Sequence, residues 1–176
     1  MRLFGAVASG IARAVIGPML RPLQLGGGLK CGVEFRARLL DAAYERGDGI
    51  ICVDIANAFN TARHRPICDG LQQKHPGILR YYRMKYGTPA RMVNNEGKVI
   101  GMTSTGVQQG DPWGGPFFEV GVHPALLDLS AAVIRTEAQY NRETFHEKIR
   151  RPGAVSAYED DTQVRGEMEI LFRLAP

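Results

Sequence analysis

Three consecutive carboxylates near the end of the chain have residue types that could bind a metal ion. Glu159, Asp160 and Asp161 stand in the segment AYEDDTQV, in a chain whose formal net charge is +4. Like charges this close together are costly to fold unless water or a cation neutralises them. The segment is therefore either a solvated turn or a site for a divalent cation, and taken alone the local sequence favours the turn.

A further carboxylate follows a short apolar segment earlier in the chain. The segment GIICVDIA has the apolar, β-branched composition of a buried strand, and Asp54 stands at its downstream end. Asp54 would cap the helix that starts near Ala58, or it would ligate a cation. If this strand pairs with the segment of Asp160 and Asp161 in one sheet, three carboxylates converge at one edge. Such a cluster predicts one or two Mg²⁺ ions and phosphoryl-transfer chemistry.

Helices and strands must position these carboxylates, and the sequence predicts an irregular order of the two. Helical spacing covers 33–47, 61–75, 77–86 and about 116–132, and a last helix begins at residue 167. Extended patterns cover 49–56 and two hairpins, 91–102 and 153–166. Glu159 and Asp160 fall at the turn of the second hairpin. Because strands and helices do not alternate, we expect an α+β fold, an antiparallel sheet with helices packed on one face.

Composition limits the class of protein without choosing a function. The length of 176 residues fits one domain with a real core, and a pI near 9.1 mildly favours a polyanionic partner. Cys31, Cys52 and Cys68 show no CxxC or zinc spacing, and such a scattered, odd-numbered set indicates a reducing compartment without disulfides. We expect the three cysteines to be small apolar residues of the core. The glycine-rich segment QLGGGLKCG lacks the GxGxxG spacing and is a weak nucleotide motif.

The first twenty residues are apolar and free of acidic side chains. They fit a partly buried helix of a domain that starts further upstream, or a targeting segment, and we favour the helix. Arg13, the glycines and Pro18 argue against a membrane span.

Three blocks of the sequence resemble, in order and form, those of reverse transcriptases, most closely the non-LTR (LINE-type) retrotransposon enzymes. VDIANAFNT resembles the first palm block, Asp-x4-Phe. GVQQGDPWGGPFF resembles the second block, and AYEDD resembles the third, Phe/Tyr-x-Asp-Asp. The flanking segments PLQLGGGLKCGVE and VHPALLDL are also similar, so the resemblance covers roughly residues 20 to 170.

The resemblance implies a right-hand polymerase fold and assigns roles to single residues. Asp54 and Asp160 would be the catalytic carboxylates that bind two Mg²⁺ ions, or Mn²⁺ in their place, and Asp161 would support them. The carbonyl of Ile55 would be a further metal ligand. Phe59 would lie under the sugar of the incoming nucleotide and exclude a ribose 2′-OH, since an apolar ring offers a hydroxyl neither room nor a partner. Phe59 is equally explained as a core residue at the start of a helix.

The same resemblance implies contacts with nucleotide and template. Gln109 and Gly110 would lie along the incoming nucleotide and the template, although QQGDP alone reads as a polar turn before a helix. Tyr158 would pack beneath the Asp-Asp turn. The basic residues of one predicted helix would contact template or primer phosphates, or would form a solvated basic face. These residues are Arg80, Arg83 and Lys85, interleaved with Tyr81, Tyr82 and Tyr86.

The implied activity is RNA-directed DNA polymerisation, the transfer of a nucleotide to a primer 3′-OH. The implied partners are an RNA template, a DNA primer and deoxynucleoside triphosphates, inside the cell in the nucleus or cytoplasm, with no membrane partner. Residues 1–48 would be a remnant of the fingers and 49–176 mainly palm, with the thumb absent.

Departures from the family pattern favour an alternative. Glu159 replaces a small or apolar residue, where it would raise neighbouring pKa values and repel a primer phosphate. Trp113 and the displaced Pro116 alter the second block. The alternative is a catalytically inactive retroelement remnant that at most binds nucleic acid or a protein partner. A related palm of an RNA-templated RNA polymerase or a nucleotide cyclase is a third reading, and Phe59 and QQGDP count against it.

Overall fold

The computed structural model describes residues 2–27, 29–143 and 153–174. Both helices and strands are present, which confirms a mixed α and β structure. The helices are α1 (Arg2–Leu20), α2 (Gly32–Glu45), α3 (Ala58–Thr61), α4 (His64–Lys74), α5 (Pro76–Tyr86), α6 (Gly114–Glu143) and α7 (Met168–Leu174). The strands are β1 (Gly49–Val53), β2 (Ala90–Val93), β3 (Val99–Thr103), β4 (Ala154–Tyr158) and β5 (Asp161–Gly166).

Strands β1, β5 and β4 form an antiparallel sheet in that order. The register pairs Val53 of β1 with Thr162 of β5, and Tyr158 of β4 with Asp161. The predicted pairing of the Asp54 strand with the second hairpin is therefore confirmed. Gln24 adds a parallel bridge at the outer edge of β4, where the Ala157 N–H donates to the Leu23 carbonyl at 2.7 Å.

Helices cover both faces of this sheet, so the expectation of helices on one face is wrong. Val155 and Val164 pack on one face with Leu126 of α6 and Leu171 of α7. On the opposite face, the guanidinium of Arg165 donates to a carbonyl of α2 at 3.2 Å. The reason is the central position of β5, whose residues Thr162 to Gly166 are all buried. A strand buried on both faces needs a covering layer on each side.

A second apolar cluster lies between α6 and the helices α1, α4 and α5. Its largest fully buried side chains include Ile16, Ile67, Tyr82 and Phe117. Helix α6 is long and apolar enough, by length and composition alone, to cross a membrane. Of the most apolar stretch of this helix, 33% is buried within the fold, and Phe117 and Phe118 lie in this cluster.

Several predicted bounds and burial states need correction. The predicted helix 61–75 corresponds to α4, which begins at His64 after the short α3, and the predicted helix 116–132 begins at Gly114 and continues to Glu143. The first hairpin is confirmed as β2–β3, with Gly97 at φ +79° in its turn. The expectation of core cysteines is wrong for Cys31 and Cys52, which are exposed, whereas Cys68 is half-buried and packs against the second apolar cluster; all three are free.

Candidate functional site

The sheet places the predicted carboxylates at one end. Asp54 is the first residue after β1, and Asp161 is the first residue of β5. The register pairs Val53 with Thr162, so its next step would set Asp54 opposite Asp161. Asp160 lies in the turn that joins β4 to β5. The convergence comes from strand pairing, which brings together residues more than a hundred positions apart in the sequence.

Asp161 already has a partner in α2. Its carboxylate lies 2.9 Å from Nη1 of Arg36. When the Gln163 amide is turned so that its oxygen faces Arg36, that oxygen accepts hydrogen bonds from Nη2 of Arg36 at 2.6 Å and from Nε at 2.9 Å. Arg36 therefore holds β5 to α2 and neutralises one of the predicted metal ligands.

The donor types fit a divalent cation, whereas the present side-chain positions do not yet surround one. Carboxylate oxygens are the ligands that Mg²⁺ prefers, and Asp54 and Asp161 are exposed enough to turn. Across the described ranges, no group of three or more His, Cys, Asp or Glu stands close enough to hold a metal ion. The carbonyl of Ile55 accepts the Ala58 N–H at 3.2 Å. A second lone pair on that carbonyl oxygen remains for a ligand.

The turn of Glu159 and Asp160 is held by a buried glutamine. The amide nitrogen of Gln24 donates to the Glu159 carbonyl at 2.8 Å, and its oxygen accepts the Glu159 N–H at 3.2 Å. Glu159 has φ +53°, in the left-handed region that costs a non-glycine residue free energy. The two hydrogen bonds from Gln24 therefore hold the turn that carries Asp160 in a strained conformation.

A buried carboxyl lies behind this turn. Glu119 of α6 is fully buried, and neither of its carboxyl oxygens has a hydrogen-bond partner of good geometry in the described structure. It is packed against Gly26 and Gly27, where a Cβ atom would collide with its oxygens. Burial, followed by the charge of Glu159, raises the pKa of Glu119 to about 8, against the lowering effect of Arg13 and the Gly27 N–H. Glu119 is therefore mostly protonated at neutral pH.

Glu159 is also perturbed. Burial first, and the charge of Asp160 second, raise its pKa, while Arg13 lowers it. Gly26 and Gly27 lie close against the carboxyl side chains of Glu119 and Glu159, and this close packing explains these two glycines by space rather than by phosphate binding.

A small depression of about 330 Å³ joins the turn to the second block. It is lined by Phe59, Gln108, Gln109, Gly110, Asp111, Gly115 and Glu159. The ring of Phe59 stacks on Phe118 with centroids 4.9 Å apart. Phe59 therefore supports the core and also lines the depression, in accord with both explanations of this residue. Gln109 and Gly110 line the same depression, and their contact with a nucleotide stays a prediction.

The loop that carries Gln109 is tied to α3 and α5. Val107 N–H donates to the Phe59 carbonyl at 2.8 Å, and Gly106 lies at φ +86° where a side chain would collide with the α3 backbone. Asp111 accepts the Tyr86 hydroxyl at 2.5 Å and lies 2.6 Å from Nζ of Lys85. The hydrogen bond to Phe59 therefore holds the second block against the first, whereas the contacts of Asp111 with Tyr86 and Lys85 hold it against α5.

Helix α5 has the amphipathic arrangement that its sequence indicates. Tyr82 is buried against Phe117, and Tyr81 and Tyr86 pack at the edge of the same cluster. Arg80 and Arg83 are exposed, whereas Lys85 pairs with Asp111. Tyr158 ends β4, half-buried, and its ring lies beside Gly32 of α2. A contact of the basic residues with phosphates stays a prediction.

Sequence reasoning missed three residues of the site. Gln24 contacts the turn, Arg36 contacts Asp161, and Glu119 packs against Gly26 and Gly27 next to the turn, all through tertiary packing that no local spacing encodes. The one available signal was for Glu119, a single carboxyl within the apolar segment PFFEVGV. A charged residue in an otherwise apolar stretch of helix is buried at a cost and is often functional.

Comparison with known proteins gives one partial similarity. The chain is 31% identical over 84 residues to the retrovirus-related Pol polyprotein from type-1 retrotransposable element R2 of Bradysia coprophila. The alignment covers 46% of this chain and 10% of that polyprotein, so the chain spans about a tenth of the relative's length. No protein-family model matches. The chain is thus similar to part of a retrotransposon polyprotein.

Proposed function

We propose that the chain is the fingers–palm part of a reverse transcriptase, with fingers remnants in 1–48 and mainly palm in 49–176. Its reaction would be the transfer of a deoxynucleotide to a DNA primer 3′-OH on an RNA template, inside the cell. The observation that carries the proposal is the β1–β5–β4 order, which sets Asp54 beside the turn of Asp160 and Asp161. The similarity to a retrotransposon polyprotein is independent support.

The roles that we propose for the residues are those that the resemblance to reverse transcriptases implies. Asp54, Asp160, Asp161 and the Ile55 carbonyl would hold Mg²⁺ ions, which when bound activate the attacking oxygen and stabilise the leaving oxygen. Phe59 would lie against the sugar, with Gln109 and Gly110 along the base and template strand. Gln24 would keep Asp160 in place through the Glu159 backbone. Arg36 would release Asp161 when a cation takes its place.

The test is primer extension on poly(rA)·oligo(dT) with Mg²⁺ or Mn²⁺. We expect extension by the wild type and loss of at least about a hundredfold in Asp160→Asn, because a metal ligand stabilises charge in the transition state. Asp128→Asn is the matched control, since Asp128 is an exposed carboxylate of α6. Extension by Asp160→Asn at the wild-type rate would refute the assignment of this residue.

A second candidate is an inactive remnant that binds nucleic acid or a protein partner. The Arg36–Asp161 ion pair and the half-buried Glu159 beside Asp160 favour it. The guanidinium of Arg36 occupies one ligand of the cation site, and the additional carboxyl of Glu159 would repel a substrate phosphate. Retention of RNA binding by a wild type that never extends a primer would select this candidate over the polymerase.

A further inference from the structure

Helix α6 carries apolar side chains on two of its faces. Leu126 and Val133 are buried in the cluster beside the sheet. Leu127 and Ile134 lie on another face of the helix and are 51% and 61% exposed. A row of exposed apolar side chains on a surface helix marks a contact surface.

The exposed face has the spacing of a coiled-coil seam. Four residues follow one another at intervals of four, three and four positions: Leu127, Ala131, Ile134 and Ala138. These are successive d and a positions of a heptad repeat, which place the four side chains along one side of the helix. Ala138 is exposed and Ala131 is half-buried. We name this row the α6 seam, and at 1.5 Å per residue it is about 17 Å long.

The α6 seam is complementary to a second copy of itself that runs antiparallel. In an antiparallel pair of helices, a d position lies opposite an a position of the other helix. Leu127 then faces Ala138 of the second copy, Ile134 faces Ala131 of the second copy, and the twofold axis repeats both layers. Every layer joins a large side chain to a small one, so the two helices can pack without a void.

The charges beside the seam match in the same arrangement. Asp128 and Arg135 directly follow Leu127 and Ile134, so both stand on the same side of the seam. They are exposed, and the described residues offer neither of them an ion-pair partner. Two turns separate them, about 10 Å along the axis, which is too far for them to pair within one helix. In the antiparallel pair, Asp128 of each copy comes beside Arg135 of the other, which gives two ion pairs.

The size of this surface predicts a weak dimer. The seam and its flanking positions amount to about eight residues on each side, whereas a stable interface has roughly 20–30. Exposed ion pairs add little affinity. We therefore expect a Kd on the order of 100 µM, and a monomer at low micromolar concentration.

We propose that the α6 seam is the interface of a twofold dimer of this chain, in which the two α6 helices run antiparallel. The match of large with small side chains and the match of charges favour a second copy over other occupants. A bilayer would cover Leu127 and Ile134 but would give the carboxylate of Asp128 no partner. The seam lies apart from the carboxylate end of the sheet, so the proposal goes beyond the polymerase function and does not rest on it.

The test is sedimentation equilibrium of the full chain between about 10 µM and 1 mM, a range that brackets the expected Kd. We expect the average mass to rise from that of one chain toward that of two. Arg135→Asp would set like charges beside each other at both ion pairs, so it should weaken association at least about tenfold. The double variant Asp128→Arg/Arg135→Asp exchanges the two charges and should restore association, because each pair again has opposite signs.

Matched controls separate the seam from general effects of charge and surface hydrophobicity. Arg38→Asp makes the same change of charge at an exposed position of α2 and should associate like wild type. Ile134→Lys should abolish association, whereas Ile100→Lys, at a 66% exposed position of the β2–β3 hairpin, should leave it unchanged. Because all these substitutions lie at exposed positions, we expect wild-type thermal unfolding at low micromolar protein.

Several outcomes would overturn the proposal. These are a chain that stays monomeric at about 1 mM, equal weakening by Arg135→Asp and Arg38→Asp, and a charge exchange that does not restore association. Loss of association in Ile100→Lys but not in Ile134→Lys would also overturn it and would place the interface on the hairpin. Primer extension and metal-dependent melts are run at or below low micromolar protein, where the chain is a monomer. Asp128→Asn therefore stays a valid control there, and failure of the polymerase assignment is scored separately.

Discussion

The Glu119 carboxyl is fully buried beside Gly27 and Glu159, and this position makes the stability of the protein depend on pH. Its pKa rises from an unfolded value of 4.5 to about 8 in the native state, so the native state binds a proton that the unfolded chain releases. Between these two values the free energy of unfolding therefore falls as pH rises, by up to about 1.4 kcal/mol per pH unit. Below pH 4.5 both states hold the proton and the slope disappears.

Glu119→Gln should remove this dependence. The amide is neutral at every pH, so we expect the variant to be about 3 kcal/mol more stable than wild type at pH 9, while the two differ much less at pH 5. Urea unfolding at pH 5, 7 and 9 measures the difference. The pKa of Glu159 is also raised, but both proteins contain this residue, so its contribution to the pH dependence of stability largely cancels when the two are compared.

A matched control is Glu96→Gln in the β2–β3 turn, where the side chain is exposed. Its stability should follow the wild-type pH profile. If Glu119→Gln also follows that profile, then Glu119 is not a protonated buried acid.

The residue scale is where sequence reasoning had least reach. The placement of Asp54, Asp160 and Asp161 at one end of the sheet could be predicted because carboxylates at a strand end and a turn can be read from local order, and their role as metal ligands stays a prediction. Gln24 and Arg36 were not found, since each contacts the turn or β5 across more than a hundred residues of chain. Their sequence neighbours give no sign of the contact, which depends on how α2 and the segment before it pack.

At the scale of elements, Asp111 joins α5 to the loop that leads into α6. Its carboxylate is almost fully buried, lies 2.6 Å from Lys85, and accepts the Tyr86 hydroxyl at 2.5 Å and the Trp113 N–H at 3.2 Å. Asp111→Ala should lower the free energy of unfolding by about 3 kcal/mol, because it leaves a cation and two donors without their acceptor. Urea unfolding measures the loss, and the emission of Trp113, the single tryptophan, reports whether the loop loosens.

The control for Asp111 is an ion pair of the same type at the surface. Asp69 pairs with Arg65 at 3.8 Å, and both side chains are largely exposed. Asp69→Ala should therefore cost less than about 1 kcal/mol. Equal losses in the two variants would mean that Asp111 does not join these elements.

Element types were predicted well where periodicity is strong, and bounds were predicted poorly where tertiary contacts set them. The apolar run of β1 and the two hairpins were recognisable from composition and turn residues. The extension of α6 to Glu143 was missed because the residues after Ala132 are largely polar. Helix α2 is held on the other face of the sheet by contacts of Arg36 and Arg165. With helices on one face only, as the sequence predicted, these two polar side chains would lie in solvent.

At the scale of the whole molecule, the sheet concentrates acidic residues at one end of a basic protein. The chain carries a net charge of +4, yet Asp54, Glu159, Asp160 and Asp161 gather at one end of β1, β5 and β4. Arg36 offsets only part of this charge, through Asp161. A divalent cation that joined this end would bind the native state in preference to the unfolded chain, where Asp54 is far from the other three carboxylates.

Metal binding should therefore raise the stability of the whole fold. At a hundred times its Kd, a ligand specific to the native state adds about 2.7 kcal/mol, which for a domain of this size raises the melting temperature by roughly 5–10 °C. We expect Mg²⁺ or Mn²⁺ to produce this shift in wild type and in Asp128→Asn, and the double variant Asp54→Asn/Asp160→Asn to lose it. An equal rise in melting temperature in the double variant would mean that the cation binds elsewhere than at this end of the sheet. A wild type that melts at one temperature with and without metal would instead leave Arg36 as the lasting partner of Asp161, the state that an inactive remnant requires.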